Sequence, residues 1–89
     1  MDRIQAMQMF MRVAEAGSFV RAAETLSLPA STVTSTIKNL EKYLKVRLLN
    51  RTTRRVSLTP EGMQYLAQCR EILALIEHSE STLSESVAR

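Results

Sequence analysis

The chain has 89 residues, a net charge of +3, 45% apolar residues, and only two Gly, two Pro and one Cys. That length allows one small domain, burying about 60% of the surface its unfolded form exposes, so association with a second copy is a natural supplement. The composition excludes a disordered chain and a disulfide framework, and no apolar run nears the roughly 20 residues that cross a bilayer. Met1 is followed at once by Asp2 and an amphipathic pattern, which gives no sign of a signal peptide, and a single cysteine fits a reducing cytoplasm. The charge is unevenly spread. Residues 1–58 hold ten Lys/Arg against four Asp/Glu (+6), whereas residues 59–89 hold two against five (−3).

The first helix is expected from about Asp2 to Ala16, stopped by Gly17. Gln5, Gln8, Arg12 and Glu15 form one narrow polar strip on it, and Ile4, Met7, Met9, Phe10, Met11, Val13 and Ala14 cover most of the rest. So much apolar surface predicts packing on two sides, inward against short helices and outward against another element or subunit. Ser18 is a good N-cap for a second helix, whose Phe19, Ala22, Ala23 and Leu26 recur at helical spacing. The segment from Leu26 to Ala30 has room only for a turn, and Pro29 fits the first position of a third helix. Val33, Ile37, Leu40 and Leu44 then define its core face, which turns Ser31, Ser35, Lys38, Asn39 and Lys42 outward and leaves Thr34 on the flank. Two short helices broken by a tight turn are the sequence pattern of a DNA-reading helix-turn-helix.

The period changes after this helix. Val46 and Leu48, then Val56 and Leu58, alternate with polar residues around the tip Arg51-Thr52-Thr53-Arg54-Arg55, which predicts a small two-stranded wing. Lys38, Lys42, Lys45, Arg47, Arg51, Arg54 and Arg55 follow one another with only Glu41 opposing them, a series that suits a polyanionic partner. Charge alone would serve a solvated surface equally well. Thr59-Pro60-Glu61 opens a long helix with a capping Thr, Pro at the first helical position and an acid in the positive first turn. Gly62, Leu66, Cys69, Leu73, Ile76, Glu80, Leu83 and Val87 are spaced as an a/d seam, most simply covered by a second copy of the same helix. Cys69 in that seam reads as a packing residue, and His78 lies about 180° around the helix from it, so the two cannot share a metal. Glu80 and the serines after it weaken the helix towards its end.

Gly17-Ser18-Phe19, Ala22-Ala23, Leu26, Val33, Ile37, Leu40-Glu41, Leu44, Arg47-Leu48, Asn50-Arg51-Thr52 and Leu58-Thr59-Pro60-Glu61-Gly62, taken in order, resemble the N-terminal domain of LysR-type transcriptional regulators. The resemblance implies a mainly helical, bacterial winged helix-turn-helix over residues 1–58 and a linker and dimerisation helix over 59–89. It also implies binding of double-stranded promoter DNA at an interrupted palindrome, as a homodimer through the linker helix. Higher oligomers of a full-length protein and RNA polymerase are further implied partners, and a nucleoid-associated cytoplasmic location is the expected place; no membrane is involved. Family members usually continue into a C-terminal domain that binds a small-molecule effector, so this chain is expected to be a DNA-binding fragment without a cofactor or metal of its own.

Under that reading Pro29, Ala30, Ser31, Thr34 and Ser35 lie near base edges, and Lys38 and Lys42 hold phosphates. Arg51, Thr52, Arg54 and Arg55 belong to the wing, with one or two arginines entering the minor groove. Met7, Met11, Leu66, Cys69, Leu73, Ile76 and Leu83 are the expected dimer interface. Two positions depart from the family pattern: Lys45 where Gly is usual, and Ser35 where many members carry Arg or Gln. Hydroxyls discriminate bases less sharply than Arg on guanine, which shifts expected selectivity to the wing. An enzyme is disfavoured by one His, one Cys and no Gly-rich phosphate loop. The competing reading is a helix-turn-helix used only for protein interaction or dimerisation, against which the seven clustered cations speak.

Overall fold

The computed structural model describes residues 1–52 and 55–87, which form four helices and a two-stranded sheet. Helix α1 (Arg3–Ala16) is capped by Asp2, whose carboxylate accepts the Gln5 N–H at 3.1 Å, and is ended by Gly17 at φ 68°. Ala6, Met7, Met9, Phe10 and Val13 are all buried on it, because α1 packs against the helix-turn-helix on one side and the last helix on the other. Its wide apolar face therefore finds both partners within one chain. Helix α2 (Phe19–Leu26) starts at Ser18, whose hydroxyl oxygen accepts the Arg21 N–H at 3.3 Å, and buries Ala22 and Ala23.

Helix α3 (Ala30–Leu44) buries Val33, Ile37 and Leu40 completely. Pro29 precedes it as the N-cap, a correction of one residue: its ψ of 142° is extended, and its carbonyl accepts the N–H groups of Thr32 and Val33 at 3.0 and 3.3 Å. A proline's fixed φ suits either position, so the following ψ decides. Both turns that flank α3 place a non-glycine residue in the left-handed region, Ser27 at φ 56° and Lys45 at φ 58°.

Strands β1 (Leu49–Arg51) and β2 (Val56–Leu58) pair antiparallel in the register Leu49↔Leu58, Asn50↔Ser57, Arg51↔Val56. The first strand begins later than alternation from Val46 predicts. Leu48 and Leu49 are both 1% exposed, since Leu48 lies ahead of the ladder, under the start of the last helix, and Leu49 is the first paired residue.

Helix α4 (Pro60–Val87) runs for 28 residues. Thr59 ties its start to the loop before β1 with three hydrogen bonds: its N–H donates to the Leu48 carbonyl at 3.0 Å, its hydroxyl donates to the Arg47 carbonyl at 2.6 Å, and that oxygen accepts the Gly62 N–H at 2.9 Å. Gly62 has no alternative here, because a Cβ would collide with the Leu48 carbonyl oxygen. Beyond this joint Leu66 and Cys69 enter the core, and Tyr65 packs its ring 5.6 Å from that of Phe10. Burial pushes the Tyr65 phenol up to about 12 and raises the Cys69 thiol beside it.

The seam of α4 is thus divided. Met7, Leu66 and Cys69, expected between two copies, are buried within the chain itself, where α1 covers α4. Met11, Leu73 and Ile76 are half-buried, and Leu83 is 67% exposed. Periodicity identified the face of α4 that is buried first; it did not identify the nearer helix that buries it.

Candidate nucleic-acid interface

At about 100° per residue, Ser31, Ser35, Lys38 and Lys42 fall within a strip about 60° wide on α3, and all four are exposed. Thr34, half-buried, and Asn39, exposed, flank the strip, while Pro29 is exposed and Ala30 half-buried at its leading end. The fixed core face set by Val33, Ile37 and Leu40 is what aims this strip away from the protein. Side chains cap α1, α2 and α4, but none caps α3. With the Thr32 and Val33 N–H groups taken by the Pro29 carbonyl, those of Ala30 and Ser31 are the ones its first turn has to offer an external oxygen.

The wing turn is closed by two residues holding each other. The Thr52 N–H and hydroxyl both donate to the Arg55 carbonyl at 3.1 Å, and the Arg55 N–H donates back to the Thr52 hydroxyl oxygen at 3.2 Å. Thr52, expected to contact DNA, spends its hydroxyl on this turn, which replaces the Asn-Gly or Asp-Gly signal the sequence lacks. Arg55 is exposed. Arg54 lies outside the described residues.

Arg51 lies on the wing, as expected, and its side chain is held by the protein. Its guanidinium carbon stands 4.7 Å from the centroid of the Phe19 ring, and its Nη2 lies 3.7 Å from Glu41 Oε1. The other carboxylate oxygen of Glu41 accepts the N–H groups of Leu48 and Leu49 at 2.8 and 3.3 Å. Sequence reasoning gave Glu41 no task. Its signal was there: a lone acid among seven cations, beside the buried Leu40, one turn before α3 ends. Three elements thereby meet at one carboxylate and one guanidinium. Lys38, Lys42, Lys45, Arg47 and Arg55 all remain exposed, and no group of His, Cys, Asp or Glu among the described residues is placed to hold a metal.

Residues 4–63 match the family described as bacterial regulatory helix-turn-helix protein, lysR family. A transcriptional repressor of Pseudomonas aeruginosa is 48% identical over 88 residues, which is 99% of this chain and 28% of that protein. The transcriptional activator AaeR of Escherichia coli is 42% identical over 73 residues, 82% of this chain and 24% of the relative. The chain thus spans about a quarter of the length of these relatives. Among solved structures, the DNA-binding domain of CbnR in complex with DNA superposes with a TM-score of 0.90 at 35% identity, covering 97% of this chain and 98% of that one. The DNA-binding domain of BenM on its benA site 1 DNA gives 0.91 at 28% identity, covering 94% of each. With the family pattern spanning the turn, the wing and the start of α4, this chain belongs to the LysR family of bacterial regulatory helix-turn-helix proteins.

Proposed function

We propose that the chain is a sequence-specific DNA-binding unit of a transcriptional regulator, acting as a dimer on an interrupted palindrome. The observation that carries this reading is the exposed strip of Ser31, Ser35, Lys38 and Lys42, on a fold whose relatives CbnR and BenM have been solved with DNA. Pro29, Ala30, Ser31, Thr34 and Ser35 meet base edges in the major groove, and the uncapped first turn of α3 offers its N–H groups to DNA oxygens. Lys38 and Lys42 neutralise phosphates. Arg54 and Arg55 enter the neighbouring minor groove, where groove width supplies the selectivity that hydroxyls do not. The division is functional: residues 1–58 read, and residues 59–89 space and link.

The second copy is received by the half of α4 that the chain leaves bare. Ile72 and Leu75 are exposed there, at 45% and 67%, beside Leu73 and Ile76. A cleft of about 500 Å³ between α1 and α4 adds Met11 and Leu26 to this surface, and Arg12, Glu15, Arg70 and Glu77 also line it. Such mixed charge beside apolar side chains suits a self-complementary two-fold contact. Effector binding, contact with RNA polymerase and association with the nucleoid belong to the whole regulator. Its repressor and activator relatives fit either outcome at a promoter.

Selection of bound sites from a random duplex pool tests the reading. A two-part site with fixed half-site spacing is expected, bound with a log affinity that falls steeply with log salt. Enrichment of a single half-site would remove the dimer. Binding no tighter to any duplex than to an acidic polymer of similar charge would leave a protein-interaction module.

A further inference from the structure

We propose that Arg51 is a positioning residue that sets the angle of the wing, rather than a residue that touches DNA. The inference rests on the reading of the wing as a minor-groove element. Arg51 is the last residue of β1, and its guanidinium is held from two sides by groups distant in sequence, the Phe19 ring at the start of α2 and the Glu41 carboxylate near the end of α3. A guanidinium stacked on a ring and paired with a carboxylate has spent its planar face and part of its donor set. The same carboxylate holds the N–H groups of Leu48 and Leu49, so one side chain fixes the approach to β1 and the cation at its far end.

The remaining ties of the wing are main-chain ones, and the first of them lies on the same rung as Arg51, through its partner Val56. The Val56 N–H donates to the Gly17 carbonyl at 3.4 Å, and the Thr59 N–H donates to that of Leu48 at 3.0 Å. Without the Arg51 contacts, β1 has no side chain among the described residues joining its outer end to the helix-turn-helix. Arg55 follows directly on the Arg51↔Val56 rung of the ladder, so a rotation of that rung re-aims the Arg55 side chain, and hydrogen bonds weaken steeply with such misalignment. A small change at the Arg51 stack therefore removes the wing arginines from a groove whose width they read, while leaving the phosphate contacts of α3 in place.

The test uses two duplexes with the same selected palindrome, one with A·T-rich and one with G·C-rich flanks, and measures affinity for each across a salt series. The wild-type chain is expected to prefer the A·T-rich flanks by about fivefold or more, the preference that groove width offers to inserted arginines. R51A and F19L are expected to reduce that preference to less than about twofold while leaving the slope of log affinity against log salt within about 0.3 of wild type. R51K, which keeps a cation over the ring, is expected to restore at least half of the lost preference on a logarithmic scale. A slope lowered by about 0.9 in R51A would mark a lost phosphate contact and overturn the proposal. So would equal loss on both duplexes, which reduces Arg51 to fold stability, and so would an unchanged preference in F19L or an absent preference in the wild type. If R51A does not fold, F19L and R51K decide the matter between them. A wild-type chain that binds neither duplex in a salt-dependent way refutes the DNA-binding reading itself, a separate failure.

Discussion

Lys45 ends α3 at φ 58° and ψ 39°, with its N–H donating to the Glu41 carbonyl, and its side chain is exposed. An L residue held in the left-handed region costs about 1–2 kcal/mol, because Cβ crowds the following carbonyl. Replacing Lys45 with Gly removes that crowding and keeps the main-chain hydrogen bond, but it also frees the unfolded chain by about 0.5–1 kcal/mol. The balance favours the folded state by roughly 0.5–1 kcal/mol, which in a domain of this size raises the melting temperature by about 3–6 °C. Thermal unfolding followed by circular dichroism measures this, at one fixed protein concentration because association shifts the midpoint. Lys45→Ala is the control: it removes the same charge and aliphatic stem but keeps Cβ. A glycine variant that melts no higher than the alanine variant would refute the assignment of strain to the backbone at this turn.

Gly62→Ala is expected to destabilise by about 1–3 kcal/mol or more, since its Cβ meets the Leu48 main chain and not a side chain able to move aside; urea unfolding checks the magnitude. Glu41→Ala leaves the Leu48 and Leu49 N–H groups without their acceptor and is expected to cost about 1–3 kcal/mol, with faster amide exchange confined first to those two residues. Tyr65 and Cys69 are both raised, first by burial, so the folded chain keeps their protons after the unfolded chain has released them. Their contribution is complete below the unfolded values and is lost as pH rises from about 9 towards 12. Denaturant unfolding between pH 8 and 11 is expected to show a shallower alkaline decline in Tyr65→Phe than in wild type, and equal slopes would contradict the linkage.

The helix starts were legible because they are local. A hydroxyl or carboxylate before an apolar-periodic run needs no distant information, and Ser18 and Thr59 cap where the sequence places them. The exposed strip of α3 follows from the same logic, since the spacing of Val33, Ile37 and Leu40 fixes what faces outward. What depended on three-dimensional neighbours was read less well. Leu66 and Cys69 have the spacing of a coiled-coil seam, yet α1 is near enough to cover them first. The tasks of Arg51 and Glu41 join residues 10 and 32 positions apart, and no periodicity links a wing strand to a ring on α2. Alternation placed the wing's turn between Arg51 and Arg55, but its closure was not legible, because it comes from a threonine hydroxyl instead of a glycine.

The joint at Thr59 has a mechanical consequence. A glycine pressed against the Leu48 carbonyl and a hydroxyl bonded on both sides leave the first turn of α4 no play against the loop that leads into β1. The helix that starts there is about 42 Å long, so a tilt of about 5° at the joint corresponds to nearly 4 Å at its far end. Because Leu66 and Cys69 beyond the joint are also buried where α1 covers α4, force applied near Val87 is expected to reach α1 and the wing together, not to be absorbed by a slack hinge. Whatever repositions that end moves the reading surface with it.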